Sequence, residues 1–370
     1  MSHYIYQEID WPKFHWDREA IALPLAALHN RLGRIFGRME SLGFPQRDAA
    51  VLGMLTADVI KSSEIEGEVL NTEQVRSSIA RRLGMDIAGM VPADRRVDGV
   101  VEMALEAAQN YNKPLTKERL CRWHTLLFTP EAPGTDRIKT GAWRDDAKGP
   151  MQVVSGALGR EKVHYQAPSA ELLPAEMDAF LKWVNATGAE DPLLKAAIAH
   201  LWFVTLHPFD DGNGRIARAI ADWALARAEA SQRRFYSMSA QIRKERSKYY
   251  SILEATQKGG LDITEWLLWF IGCLARAIED TENSLSGVFR KDRFWKTYVS
   301  CALNERQRLM LNKLLDGFTG KLTSTKWAKI ADCSQDTAQR DIMDLIEKGI
   351  MRKDPGGGRS TSYSLLCPEN

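Results

Sequence analysis

The spacing of apolar residues along the chain predicts mainly helical structure. Apolar side chains recur every three or four positions through residues 23–35 and again through 51–60, which places them on one face of an α-helix. Farther along, Asp191 and Pro192 precede the apolar run LLKAAIAHLWFVTL. Because Asp favours the N-cap and Pro the first helical position, a buried helix should begin there and end before Pro208.

Further helices are expected over residues 214–230 and within 249–278, whereas two other regions carry β-forming residues. The runs 151–155 and 162–166 flank the glycine-rich sequence SGALGR, a pattern that indicates a β-hairpin with a flexible tip. Beyond residue 285, short helices at 305–318, 326–331 and 335–348 precede strands at 350–354 and 361–366. That order is typical of a winged helix-turn-helix domain.

The predicted fold is therefore mainly α, with a helical core, a β-hairpin and a C-terminal winged helix-turn-helix domain. We expect a helical N-terminal region over residues 1–110, a central core over 111–285, a linker over 286–300 and the winged helix over 301–370.

Composition and charge limit the partners and the cellular compartment that we expect for the chain. The chain has 50 Lys and Arg against 48 Asp and Glu, so no overall charge directs it to nucleic acid or to an anionic membrane. Its five cysteines, the last of which is Cys367, are odd in number and widely spaced, as expected of reduced thiols in a cytosol. The start lacks the basic and apolar stretches of a signal peptide. The most apolar run, 266–275, is about half the roughly 20 residues that span a bilayer. We therefore expect a cytoplasmic protein without a membrane partner.

The stretch HPFDDGNGRIAR, residues 207–218, carries the candidate chemistry and lies between two predicted helices. Gly212 and Gly214 allow a tight turn that exposes N–H groups at a helix start, where the helix dipole favours an anion. Arg215 and Arg218 are three positions apart, so both guanidinium groups can bind one polyphosphate. These features predict a phosphate-binding site.

Two other side chains of this stretch suit catalysis on a phosphate. Asp211 is placed to hold a Mg²⁺ ion that bridges phosphate oxygens, since this metal takes only one or two protein carboxylates. His207, with an ordinary pKa near 6.5, is neutral at physiological pH and can accept a proton from an attacking hydroxyl. Asn213 has two open interpretations: a hydrogen bond to phosphate, or tolerance of a left-handed turn.

These residues resemble the signature of the Fic family, H-P-F-x-[DE]-G-N-G-R-x-x-R, at every specified position. The resemblance implies a protein adenylyltransferase, in which the hydroxyl of a Ser, Thr or Tyr in a target protein attacks the α-phosphate of ATP and acquires AMP. It makes His207 the general base and the hairpin a flap that holds the target segment. It places the nucleotide against Tyr250 and the loop residues Gly212, Asn213, Gly214, Arg215, Ile216, Ala217 and Arg218.

Upstream, the sequence SSEIEG, residues 62–67, resembles the family's inhibitory motif [ST]-x-x-x-E-[GN] through Ser62, Glu66 and Gly67. By that resemblance Glu66 pairs with Arg218 and occupies the arginine that should bind the γ-phosphate, so the chain would inhibit itself. A chain released from this inhibition should modify itself. The alternative is a solvated acidic helix end.

Several alternatives remain open at the level of sequence. The helix at 335–348 has four acidic side chains against two basic ones, a composition that favours protein docking or support of a homodimer over DNA binding. Two rival functions are a DNA-binding regulator with a nucleotide-sensing Fic core, and an enzyme that removes AMP with Glu66 positioning water. The target protein, the modified residue type and the oligomeric state are not set by the sequence.

Overall fold

The computed structural model describes residues 3–87, 89–128, 138–156, 160, 162–188, 190–316, 318, 320–355 and 361–366, with the backbone alone at Pro45. Parts of the predicted hairpin tips SGALGR and PGGGRS, at residues 157–159 and 356–360, lie outside these residues, as does Cys367. The chain forms two compact units: Met1–Glu40 with Arg47–Thr281, and Ser41–Gln46 with Glu282–Asn370. Within the described residues, no helix is both long and apolar enough to cross a membrane.

Helices dominate the described residues, as the apolar spacing predicts. Up to residue 284 they are α1 Arg18–Glu40, α2 Phe44–Ile65, α3 Thr72–Arg82, α4 Arg95–Gln109, α5 Lys117–Leu127, α6 Leu173–Asn185, α7 Pro192–Leu206, α8 Asn213–Ala228, α9 Met238–Lys244, α10 Arg246–Gln257 and α11 Thr264–Ser284. The apolar runs at 23–35 and 51–60 lie within α1 and α2, and the apolar run 266–275 is a largely buried part of α11.

Helices α7 and α8 form the centre of the first unit and position the motif between them. The predicted start of α7 is confirmed, since the Asp191 carboxylate accepts a hydrogen bond from the Leu193 N–H at 2.9 Å and Pro192 is the first helical residue. Nearly every side chain of α7 is buried. The helix ends where His207 takes a left-handed conformation, with φ 49°, and Pro208 follows. The catalytic motif therefore begins at a fixed point of the core.

Helix α2 is anchored to the same core along its length. The Asp58 carboxylate accepts hydrogen bonds from Ser237 Oγ at 2.7 Å and from Ser239 N at 3.2 Å, at the start of α9. Beside it, the half-buried Asp222 of α8 is paired with Arg234. Helices α2 and α8 thus share a polar network.

The predicted β-hairpin is confirmed as β1 Gln152–Ser155 and β2 Lys162–Gln166, an antiparallel pair with a bulge between Val153 and Val154. Tyr165 anchors it: the ring packs edge-on against Tyr4 at 5.1 Å, and the hydroxyl donates to the carbonyl of Thr205 at 2.7 Å. Since Thr205 lies in the last turn of α7, the base of the hairpin is fixed close to His207.

The second unit contains α12 Ser286–Thr297, α13 Glu305–Leu315, α14 Ser324–Ile330 and α15 Gln335–Glu347, followed by the antiparallel strands β3 Met351–Lys353 and β4 Tyr363–Leu365. This is the element order that the sequence predicts for a winged helix. The expected linker at 286–300 is instead mostly helix α12, because Phe294 lies fully buried in a core with Met310, Trp327 and Ile342. The burial of the apolar residues of α12 stabilises this segment as a helix, despite the charged residues between them.

Candidate active site

His207 is held in the geometry of a proton acceptor. Its Nδ1 lies 3.0 Å from the carbonyl oxygen of Val204; because a carbonyl can only accept, Nδ1 carries the proton and Nε2 keeps its lone pair. Burial lowers the pKa of the His207 imidazole below its ordinary value, and the Arg144 guanidinium lowers it further. Arg144 also donates from Nε to the His207 carbonyl at 2.8 Å. The imidazole is therefore neutral and fixed in orientation.

The start of α8 provides N–H groups for an anion. Gly212 caps the helix in a left-handed conformation, with φ 76°; its N–H donates to Asp211 Oδ1 at 2.6 Å, and its carbonyl accepts from Ile216 N at 3.0 Å. The N–H groups of the first turn, those of Asn213, Gly214 and Arg215, have no intrahelical acceptor. We call these three N–H groups the phosphate seat.

The two arginines of α8 lie beside the phosphate seat and are almost completely buried, each about 3% exposed. Arg218 donates from Nε to Ser62 Oγ and from Nη2 to the Ser62 carbonyl, both at 2.9 Å. Arg215 donates from Nη1 to Glu68 at 2.7 Å. Within the described part of the chain, Arg215 Nε and Arg218 Nη1 are buried without a partner. Buried guanidinium groups with unmet donors are suited to a ligand that brings further acceptors.

Glu66 lies directly over the phosphate seat. Its Oε1 accepts from Arg218 Nη2 at 2.8 Å, and a Cβ placed on Gly214 would lie only 2.2 Å from the same oxygen. Only glycine therefore allows this approach. Burial alone would raise the pKa of the Glu66 carboxyl, but Arg218, Arg215 and Arg246 outweigh burial and lower it. The carboxylate is charged and fills the position where a phosphate oxygen would approach the helix.

The segment that carries Glu66 ends as the sequence predicts. Helix α2 stops at Ile65 and Gly67 follows with φ 84°. Ser62, Glu66 and Arg218 form one contact group, so the predicted pair between Glu66 and Arg218 is present in the structure.

Asp211 and Asp210 have different surroundings. Asp211 is exposed at the mouth of the loop, and one of its oxygens holds the Gly212 N–H. Asp210 accepts from the Lys139 N–H at 2.8 Å and so ties the loop to the segment before the hairpin. The described residues contain no group of three or more side chains that could bind a metal by themselves. Asp211 is the carboxylate that can supply a single ligand.

The structure gives three residues of the motif a packing role. Asn213 donates from Nδ2 to the Phe209 carbonyl at 2.8 Å and accepts from the Phe209 N–H at 3.0 Å, so its side chain braces the loop. Neither of the two interpretations open for this side chain, a bond to phosphate or a left-handed turn, matches that geometry. Ile216 and Ala217 are fully buried. Their side chains are therefore part of the core, and only the backbone of Asn213 belongs to the phosphate seat.

Of the tyrosine pair on α10, Tyr250 faces the site and Tyr249 belongs to the core. The Tyr250 hydroxyl lies 3.5 Å from Glu66 Oε2 and its ring lies 5.2 Å from the Arg246 guanidinium. Tyr249 is buried with its hydroxyl 2.9 Å from Nε2 of His200. Tyr250 therefore lies beside Glu66, and its predicted contact with a nucleotide stays a prediction.

Three further residues of the site were not predicted. Glu68 bridges Arg215 at 2.7 Å and Arg96 at 3.0 Å. Arg144 holds the His207 carbonyl. His124 stacks on Phe209 at 4.2 Å and binds the Asp211 carbonyl at 3.2 Å; burial lowers its pKa to about 4. All three lie far from the motif in sequence, and no sequence pattern predicts that they lie beside it in the fold.

Comparison with known proteins finds similarity in the segment that carries this geometry. Residues 114–225 match the model of the Fic/DOC family. Residues 4–85 match a domain of unknown function (DUF4172), so Glu66 lies outside the Fic match and within a second conserved module.

The relatives include the protein adenylyltransferase Fic of Drosophila ananassae, 31% identical over 226 residues, and that of Aedes aegypti, 26% identical over 232 residues. The matches cover 58% and 60% of this chain but 39% and 40% of those relatives. The chain thus spans about two fifths of their length.

Solved structures share the fold. A Fic family protein from Desulfovibrio desulfuricans G20 has a TM-score of 0.56 at 20% identity, over 96% of this chain and 98% of that one. A Fic domain containing signaling protein from Bacteroides thetaiotaomicron has a TM-score of 0.50 at 20% identity, over 71% of this chain and 97% of the other. At this identity, the likeness establishes architecture alone.

Proposed function

We propose that the chain is a protein adenylyltransferase, which transfers AMP from ATP to the hydroxyl of a Ser, Thr or Tyr in a target protein. The observation that carries the proposal is the neutral His207, with Nε2 available, at one end of a loop whose other end is a phosphate seat flanked by two buried arginines. A base and a polyphosphate site at the two ends of one loop could act together when a hydroxyl attacks a phosphate of a bound nucleotide.

In the proposed reaction the target hydroxyl oxygen forms a bond to the α-phosphorus of ATP. The bond between that phosphorus and the oxygen leading to the β-phosphate breaks, pyrophosphate leaves, and the hydroxyl proton passes to His207 Nε2. Arg215 and Arg218 bind the leaving group, whose charge grows in the transition state. The Val204 carbonyl keeps Nδ1 protonated, so the imidazole accepts the proton at one defined nitrogen.

Mg²⁺ is the cofactor we propose, held by Asp211. The exposed single carboxylate suits a metal that keeps several waters and takes its other ligands from phosphate oxygens. The ion would neutralise phosphate charge.

We further propose that Glu66 inhibits the enzyme. Its carboxylate is paired with Arg218 and lies over Gly214, so that ATP could bind only with its phosphates displaced from the arginine. Ser62 supports this arrangement from the same helix end.

The hairpin is proposed to bind the target segment by strand addition. The C-terminal unit is proposed to dock a protein or a second copy of the chain.

The test is labelling of cell lysate with α-labelled ATP, Mg²⁺ and the purified chain, followed by mass spectrometry of the labelled proteins. AMP should appear on hydroxyl side chains, and a His207→Ala chain should leave the lysate unlabelled. Labelling that is equal for the parent and His207→Ala chains would exclude the proposed base. A gel-shift assay with duplex DNA tests the rival role as a DNA-binding regulator.

A further inference from the structure

A serine and a histidine of the hairpin and a glutamate of α10 are hydrogen-bonded in series, outside the site described above. Ser155 Oγ lies 2.6 Å from Nε2 of His164, and Nδ1 of His164 lies 2.7 Å from Glu254 Oε2 on α10. The other oxygen of Glu254 accepts from Lys258 Nζ at 2.6 Å. This order, a hydroxyl, an imidazole and a carboxylate, is the one that activates a serine nucleophile.

The carboxylate fixes the proton positions. The hydrogen bond from Lys258, with a smaller contribution from His164, lowers the pKa of Glu254, so this group is charged and accepts. His164 therefore donates from Nδ1, and in the neutral imidazole Nε2 accepts from the Ser155 hydroxyl. The imidazole is poised to take the serine proton, and the charge it would acquire faces Glu254.

Strand register produces this contact. Ser155 pairs with Lys162, and His164 is two positions beyond Lys162, so the side chains of Ser155, Lys162 and His164 lie on one face of the hairpin. Ser155 and Lys162 are exposed. An activated hydroxyl thus lies beside an exposed ammonium group that can attract an anionic reactant.

Helix α10 links this cluster to the phosphate seat. Glu254 lies four positions after Tyr250, so the two side chains are neighbours on one helix face. The Tyr250 hydroxyl in turn lies 3.5 Å from Glu66 Oε2, over the phosphate seat. The cluster is therefore one helical turn away from the residue placed to contact the nucleotide.

We propose that Ser155 is a site of modification by the chain's own activity, an acceptor of AMP from ATP. The inference rests on the proposed function and names its self-acceptor. Ser155 Oγ bonds to the α-phosphorus, the α–β bridging bond breaks, and pyrophosphate leaves. The hydroxyl proton passes to His164 Nε2, which Glu254 stabilises. AMP on Ser155 places a nucleotide and a negative charge on the strand proposed to hold the target.

The experiment uses the full chain with Glu66→Gly, incubated with labelled ATP and Mg²⁺ with and without cell lysate, and maps AMP by peptide mass spectrometry. We expect AMP on Ser155. Ser155→Ala in the same background should lower the label on the chain at least tenfold, whereas Ser169→Ala, which removes another exposed serine near the hairpin, should leave it intact. His164→Ala should slow labelling of Ser155 about 100-fold, the usual contribution of a general base, and added imidazole should restore part of the rate. Glu254→Gln should slow it less.

Three outcomes overturn the proposal. AMP maps to other residues of the chain, the Ser155→Ala chain labels as strongly as its parent, or lysate proteins become labelled while the chain does not. In each of these the proposed function stands, since AMP has been transferred. A preparation that labels neither lysate nor itself refutes the proposed function and this inference with it.

Discussion

Replacement of Glu66 by glycine should release the enzyme, and the size of the effect follows from the contacts that Glu66 makes. Its Oε1 accepts from Arg218 at 2.8 Å, and Arg218 is only about 3% exposed. A hydrogen bond between charged groups contributes about 1.5–3 kcal/mol. ATP must break this contact before its γ-phosphate can bind Arg218. Since 1.4 kcal/mol corresponds to a tenfold change, Glu66→Gly should raise the rate of AMP transfer about 10- to 100-fold at subsaturating ATP.

The same substitution should cost stability, because Arg218 then loses its charged partner within the core. Because Glu66 itself is exposed while Arg218 is buried, the cost should lie below the about 3–5 kcal/mol of breaking a fully buried ion pair, and glycine at a helix end adds up to about 1 kcal/mol. Arg218 retains its two bonds to Ser62. The variant should therefore fold with a lower melting temperature, and ATP should raise that temperature more than it does in the parent chain.

The assay measures labelled AMP on lysate proteins and on the chain against time, with Glu64→Gly as the matched control. Glu64 is in the same helix end but pairs with Lys61 and Arg243, so its loss should not raise the rate. Arg218→Ala added to Glu66→Gly should cancel the gain. The reasoning is refuted if Glu66→Gly labels no faster than the Glu64→Gly control, or if the double variant remains as fast as Glu66→Gly. A loss of AMP-removing activity in Glu66→Gly would instead favour the rival enzyme.

Four further results are expected. His207→Ala should abolish transfer to lysate proteins while ATP affinity, measured by calorimetry in the Glu66→Gly background, changes little; equal losses of both would mean that the imidazole is needed for binding. Asp211→Ala should remove the response of the rate to Mg²⁺, and a rate that still titrates with the metal would identify Asp210 as the ligand. Since burial lowers the pKa of His207, the acid limb of the pH–rate profile should lie below the ordinary histidine value of about 6.5, and a limb above it would contradict the neutral base. Burial raises the pKa of the Asp222 carboxyl from 3.8 to about 7, although Arg234 opposes the shift, so the contribution of Asp222 to the free energy of unfolding is lost as pH rises through that interval. Between those pH values, the free energy of urea unfolding of Asp222→Asn should rise relative to that of the parent by up to roughly 4 kcal/mol. A constant difference would show that Asp222 does not titrate there.

Local sequence rules predicted the catalytic loop well, because its chemistry is contained in adjacent residues. The end of α7 before Pro208 and the start of α8 close to Gly214 follow from capping preferences and from the residue types between His207 and Arg218, whereas the left-handed conformation of His207 was not predicted. The pair between Glu66 and Arg218 came from resemblance alone, since 152 positions separate the two residues.

Other features could not be predicted because they depend on tertiary packing. Glu68 and Arg215 are 147 positions apart, and the pattern around Glu68 is that of an ordinary polar turn. Asn213 looked like a ligand, but the fold brings the Phe209 backbone against both ends of its amide. Residues 286–300 were expected to form a linker, whereas Phe294 packs in a hydrophobic core that no local pattern reveals.

The anchoring of α2 through Asp58 restricts how Glu66 could leave the phosphate seat. Hydrogen bonds from Ser237 and Ser239 hold the helix two turns before its end, so withdrawal of the whole helix would break a buried network and belong to the microsecond-to-millisecond motions of packed elements. Rotation of the Glu66 side chain about its own bonds would break only the contacts of its carboxylate. Such rotations take picoseconds to nanoseconds once the ion pair opens. Under the proposed inhibition, the chain could therefore pass from the inhibited to the released state by rotation of one side chain, while α2 stays in place.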